Sequence, residues 1–359
     1  MQAQSNKLNF EGHNIYVGID VHKKEWTVCI FSQHMEHKKF SQPPTACALK
    51  TYLHKHFPGA TYYSVYEAGF CGFHVHQELQ GAGIHNIVVN AADVPTTHKE
   101  KINKTDQRDS RKLGCSLRAG ELHGIHVPSR KTQEDRSLVR MRYTVRKDLA
   151  RIKSPVKSLL NFYGIEHPEP FSSPGKHWSC RYMAWLKTIK LEEESRQFAL
   201  QTHMSEVEEI RKIQLAVTRQ IRALSRTTSY QKDYELLSGI PGIGLITGMI
   251  FLTEIEDINR FANTDQFAGY VGLIPSCRSS GEKENNGEIT SRANKLMRDL
   301  IVESAWIAAR KDPALHLAFC NLCKRMEPNK AIIRIARKLL NRIYHVLKTQ
   351  TKYVCGTVE

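Results

Sequence analysis

Tyr16-Val-Gly-Ile-Asp-Val-His-Lys-Lys-Glu-Trp-Thr-Val-Cys-Ile-Phe31 decides how this chain is read. It spells two short apolar strands, residues 15–20 and 26–31, with a turn at 22–24 between them. The first strand is apolar or glycine almost throughout, as a strand covered on both faces would be. Asp20 closes it, and a carboxylate in that place has no apolar partner. Three more acids are assigned to the same point. They are Glu67 in Ser64-Val-Tyr-Glu-Ala-Gly69, and Asp106 and Asp109 in Asn103-Lys-Thr-Asp-Gln-Arg-Asp-Ser-Arg-Lys112. Four converging carboxylates repel one another unless cations sit between them. Mg²⁺, a hard ion that takes oxygen ligands, is the expected cation.

Outward from that stretch, the spacing predicts a third strand near Lys39 and a helix over 45–56. A strand over 62–66 follows, then a helix over 72–79 closed by glycine, a buried strand over 84–90 and a helix over 105–117 capped by Thr105. This order gives a mixed α/β sheet with helices on its faces. Asp106 and Asp109 then share one helical face.

From Arg130 the texture changes. Residues 130–153 carry nine basic residues, Arg140 and Arg146 among them, against three acidic ones. Leu138, Val145, Ile152 and Leu159 recur every seven residues. That predicts a long amphipathic helix with a coiled-coil seam, kinked at Pro155. Its basic face is read as a nucleic-acid or subunit contact rather than a solvated surface. A Pro- and Gly-rich connector over 161–177 leads to a second helical arm marked by Val207, Ile210, Val217, Ile221 and Leu224. The expected division is 1–128, a metal-binding α/β domain; 129–230, a helical coiled-coil arm; and 231–359, a mostly helical domain.

In that last part, Leu236-Leu-Ser-Gly-Ile-Pro-Gly-Ile-Gly-Leu-Ile246 fits a helix-hairpin-helix. Gly242 and Gly244 would let backbone N–H groups approach a phosphate; a tight structural turn is the competing reading. Residues 258–269 are expected to be helical. Val271 to Gly281 then runs into a polar loop over 282–287, followed by helices over 291–310 and 329–349. Ser279-Ser280-Gly281 has Arg278, Lys283, Arg292 and Arg298 nearby, the charge that phosphoryl transfer to a serine oxygen requires.

Composition bounds the partners. The chain has 359 residues and a net charge of +16, from 52 Lys and Arg against 36 Asp and Glu. A polyanion is the expected partner, nucleic acid before membrane. No apolar run approaches the length of a spanning helix, and the N-terminus does not read as a signal peptide. Nine scattered cysteines suit a reducing cytoplasm. Cys320 and Cys323 read as thiols on a helix rather than a zinc site.

The four acids match the arrangement that polynucleotide-cleaving enzymes with an RNase H-like sheet use to hold two metal ions. Lys101, Lys104, Arg108, Arg111 and Lys112 could meet the phosphates. Five segments then carry a resemblance: Tyr16 to Lys24, Tyr66-Glu-Ala-Gly69, Asn103 to Leu113, Ile240-Pro-Gly-Ile-Gly244, and Phe267-Ala-Gly-Tyr-Val-Gly-Leu-Ile-Pro275 with Ser279-Ser-Gly281. In that order they resemble the insertion-sequence transposases that join a RuvC-like DEDD domain to a serine-bearing transposase domain, also called bridge-RNA-guided recombinases. The resemblance implies Mg²⁺ held by Asp20, Glu67, Asp106 and Asp109. It implies a covalent phosphoserine on Ser280, with Ser279 and Ser276 as alternatives. It further implies double-stranded donor and target DNA, a structured guide RNA, and a homo-oligomer, dimer or tetramer, in the cytoplasm of a prokaryotic cell at the nucleoid. The rival readings are a RuvC-like endonuclease that hydrolyses DNA junctions and a basic coiled-coil binding protein without catalysis.

Overall fold

The computed structural model describes residues 9–95, 106–280 and 283–356, with the side chains of residues 107 and 277–286 left out of account. Expectations that fall on Lys101, Lys104, Thr105, Gly281 and Glu282, or on the side chains of Arg278, Ser279, Ser280 and Lys283, lie outside the described residues. The chain divides into two units, Met1–Pro128 and Ser129–Glu359.

The first unit is built on a five-stranded sheet of order β3-β2-β1-β4-β5. Its strands are β1 (Asn14–Val21), β2 (Trp26–Phe31), β3 (Glu36–Gln42), β4 (Thr61–Glu67) and β5 (His85–Val89). β1 pairs antiparallel with β2 and parallel with β4, and β4 parallel with β5. Alternation along β1 sorts its side chains. Ile15, Val17 and Ile19 are fully buried in a core with Leu49 and Leu53 of α1 (Ala46–His56) and Val75 and Leu79 of α2 (His74–Gly81). Tyr16, Gly18 and Asp20 take the opposite face, which α3 (Asp106–Arg118) covers; there Val65, Val89 and Leu113 make a second small core. β3, at one edge, carries Glu36, Lys38 and Lys39, and such charge guards the edge against further pairing. This mixed α/β unit is consistent with the expected RuvC-like domain.

The second unit opens with α4 (Arg130–Phe162), α5 (Cys180–Thr188) and α6 (Glu194–Leu224). Leu149, Val156 and Leu160 of α4 share a core with Leu200, Met204 and Val207 of α6, while Val139 meets Val217 and Ile221. The two long helices therefore run antiparallel and bury much of the seven-residue stripe inside the chain itself. Val145 is buried, and Leu138, Ile152 and Leu159 are partly so. α4 continues through Pro155. α5 lies just beyond the expected connector and is only nine residues long; its Tyr182 is fully buried.

The rest is helical: α7 (Gln231–Ser238), α8 (Leu245–Ile255), α9 (Thr264–Val271), α10 (Lys295–Lys311), α11 (Pro313–Cys323) and α12 (Pro328–Thr349). α8 is buried from Gly248 to Ile255 and forms the centre of this core. Two expectations need correction. Residues 258–269 are not one helix: a single 3₁₀ turn precedes α9, which Asn263 caps by accepting from Gln266 N. Residues 283–287 of the expected polar loop are not a loop but part of a strand. β6 (Pro275–Ser280) and β7 (Lys283–Ile289) form an antiparallel ribbon, and their polar sequence lacks the alternation that would reveal it. Cys320 and Cys323 lie on α11, as thiols on a helix.

Candidate metal and nucleic-acid site

The acidic site is positioned by one close approach. A Cβ at Gly18 would stand 2.0 Å from Ser110 O and 2.3 Å from Gly114 N. Only glycine lets the backbone of α3 lie so near β1. Because Asp20 follows Gly18 by two residues, it lies on that same covered face. The first turn of α3, with Asp106 and Asp109, is thereby brought to the end of β1. In the parallel ladder Ile19 pairs with Tyr66, so Asp20 and Glu67 follow side by side at the ends of adjacent strands.

Asp20 and Asp106 converge with His22, their ligand atoms lying within 4.8 Å of one another. His22 Nε2 is 3.3 Å from Asp20 Oδ2 and 3.5 Å from Asp106 Oδ2. Burial raises the Asp20 pKa above the ordinary aspartate value; His22 opposes the rise, and the negative charges of Asp106 and Asp109 add to it. Asp109 and Glu67 stand outside the three-residue cluster. Lys112 Nζ lies 3.7 Å from Asp109 Oδ1. His22 is the member that the sequence reading missed: beside two lysines it reads as turn, though the Asp-x-His spacing carried the signal.

The structure sorts the expected basic contacts. Arg108 is exposed on α3. Arg111 donates to Glu36 Oε2 at 2.7 Å. Arg140 is not an open cation. It forks onto Glu254 at 2.6 and 2.9 Å, and Glu254 is buried, with Asn294 Nδ2 donating to it at 3.0 Å. Arg146 pairs with Glu303 at 3.3 and 3.2 Å. Arg298 donates to Thr290 O at 2.6 Å and so holds the chain that leaves β7. These three arginines are therefore committed within the fold.

Gly242 has φ +91°, and a Cβ there would lie 2.4 Å from Ser304 O of α10. That packing explains the glycine without a phosphate. Gly244 caps α8 and has open space around it. Ser276 Oγ donates to Glu288 O at 2.9 Å, so its hydroxyl is engaged within the ribbon. Ser280 ends β6 opposite Lys283. Among the described residues no helix is long and apolar enough to cross a membrane.

Comparison with known proteins places both units. Residues 17–165 match a transposase family model of the DEDD kind defined on IS110. Residues 234–319 match a second model, described as "Transposase IS116/IS110/IS902 family". The chain is similar to the y4qE protein of Sinorhizobium fredii, whose name gives it provisionally as a transposase. The two are 33% identical over 245 residues, which is 68% of this chain and 58% of that protein. The transposase for insertion sequence element IS1533 of Leptospira borgpetersenii is 23% identical over 347 residues, 91% of this chain and 96% of its own length. The transposase for insertion sequence element IS1111A of Coxiella burnetii is 22% identical over 298 residues, covering 79% and 77%.

Proposed function

The chain belongs to the IS116/IS110/IS902 family of transposases, and from that premise we propose that it moves an insertion sequence by cutting and rejoining DNA strands. The observation that carries the reading is the meeting of Asp20, His22 and Asp106 at the end of β1, with Glu67 alongside on β4.

The donor set fits a hard divalent ion. Carboxylate oxygens predominate, and the raised Asp20 pKa, owed to burial and then to its acidic neighbours, marks a site short of positive charge. In this reading Asp20, Glu67, Asp106 and Asp109 hold Mg²⁺, two ions in all. Bound metal would supply charge stabilisation at the phosphate being cut. Ser280 is the nucleophile: its Oγ forms a bond to phosphorus as the bond from phosphorus to one strand end breaks. The serine proton passes to the departing oxygen. The phosphodiester energy stays in the serine ester, so strands rejoin without ATP. Ser280 and the acids lie in different units, and the working site is composite, with the serine offered from another subunit of a homo-oligomer. A structured RNA that pairs with donor and target DNA completes the reading. It rests on the family resemblance, and the +16 charge suits such a polyanion.

A denaturing gel tests this. Wild type and Ser279→Ala should form a protein–DNA adduct with Mg²⁺, and Ser280→Ala should not. A mixture of Ser280→Ala and Asp20→Ala should regain activity if subunits share the site. An adduct in Ser280→Ala would move the nucleophile to Ser279 or Ser276. Metal-dependent cutting with no adduct in any form would replace the reading by hydrolysis. RNA that co-purifies, and whose removal by ribonuclease abolishes DNA targeting, tests the guide.

A further inference from the structure

Beside the acid cluster lies a depression of about 350 Å³. Val21, His22, Lys23, Trp26, Phe70 and His74 line it, and His22 belongs to both. Phe70 is the unexplained member. It is 64% exposed, a large apolar ring left facing water.

The loop is not slack. Ala68 N donates to Val89 O at 2.8 Å, and Gly72 N to Gly69 O at 3.1 Å. Tyr66, fully buried, donates from its hydroxyl to Gly72 O at 3.0 Å. Cys71, next to Phe70, is buried, so the chain turns inward immediately after presenting the ring. Lys23 Nζ stands 5.9 Å from the ring centroid. A fixed, exposed aromatic ring with a cation beside it is the chemistry that binds single-stranded nucleic acid, because every base offers a π-face and every linkage a negative charge. The volume lies at the small end of ligand pockets, which suits one base rather than a longer ligand.

We propose that this depression is a base subsite, in which Phe70 stacks an unpaired base of the DNA strand whose adjoining phosphate is cut at the Asp20 cluster. The inference rests on the strand-cutting role proposed above. It adds a handle on the strand that does not depend on charge, beside a site whose own acids repel phosphate.

The probe is a short single-stranded DNA carrying one fluorescent purine analogue, titrated into the full-length protein. Stacking should quench the analogue with wild type and with Phe70→Trp. With Phe70→Ala the quenching should disappear and binding weaken roughly tenfold, as expected for loss of one base–aromatic stack. The salt dependence should stay unchanged because no phosphate contact is lost. Phe70 is exposed, and unchanged melting of each variant confirms that the fold is intact. Equal quenching and affinity in Phe70→Ala and wild type would overturn the subsite. So would a Phe70 effect seen with an RNA probe and not with DNA. Cutting of unlabelled DNA by wild type is scored separately, so failure of the strand-cutting role is told apart from failure of the subsite.

Discussion

Gly18→Ala is the sharpest perturbation of the acidic site that leaves every acid in place. The added Cβ would lie 2.0 Å from Ser110 O, 2.3 Å from Gly114 N and 2.9 Å from Gly114 Cα. All three atoms are backbone, so no side chain can rotate away. Reaching the 3.4 Å at which ordinary contact begins requires α3 to retreat by about 1.4 Å. Forced overpacking of this kind costs about 1–3 kcal/mol. The functional loss should be larger, because the retreating helix carries Asp106 and Asp109 away from Asp20 and Glu67. Misplacement of about 1 Å at a reacting centre costs roughly a hundredfold in rate.

The assay is thermal melting beside metal-dependent strand cutting. Gly18→Ala should melt several degrees lower and cut DNA about a hundredfold more slowly. Gly114→Ala should do less harm: its Cβ would meet the Phe31 ring at 2.7 Å but backbone only at 3.0 Å, from Gly18 N, against 2.0 Å for Gly18→Ala. Gly81→Ala, at the end of α2 with nothing within 4 Å, is the neutral control. Unchanged melting and full cutting in Gly18→Ala would refute the argument that this contact places the acids.

Asp20→Asn should flatten the pH dependence of the metal-free protein. The folded pKa of Asp20 is raised, first by burial, so its contribution is present below the unfolded value and lost as pH rises through the folded one. At neutral pH the metal-free variant should melt at or above wild type, and Mg²⁺ should raise melting only in wild type; the reverse order would sink the metal reading. Glu254→Ala should cost about 3 kcal/mol in urea unfolding, since it strips a buried carboxylate from Arg140 and Asn294. A loss below about 0.5 kcal/mol would show the pair to be dispensable. Val145→Glu should lower melting, because Val145 is buried within the chain. Unchanged melting with a smaller mass by light scattering would instead assign that stripe to subunit contact.

What was legible followed from residues that conflict with their local pattern. A carboxylate closing an apolar strand is such a conflict, and Asp20 stood out for that reason. Pairing distant in sequence left no such mark. Arg140 on a basic helical face looks the same whether it meets solvent or Glu254, which lies 114 residues away. Arg298 likewise gave no sign that it holds a backbone carbonyl. The β6–β7 ribbon is held by ladder bonds between polar residues, so no hydrophobic period announces it. Gly18 read only as part of an apolar strand; its close contact with α3 depends on two segments meeting.

The supports of the four acids are unequal, and this explains how the fold can form before any ion binds. Asp20 and Glu67 end strands that are paired on both sides. Asp106 and Asp109 occupy the first turn of α3, where unsatisfied N–H groups favour negative charge by about 0.3–1 kcal/mol each. His22 Nε2 stands within 3.3 and 3.5 Å of the Asp20 and Asp106 carboxylates, and the Lys112 cation lies beside Asp109. Part of the repulsion among the acids is therefore offset by the protein itself. Burial raises the Asp20 pKa first, and the negative charges of Asp106 and Asp109 add to the rise. The strand side of the site is fixed by the sheet, while the helix side depends on one glycine contact. Geometry at this site can therefore be lost by moving α3 alone, with the sheet intact and all four carboxylates still present.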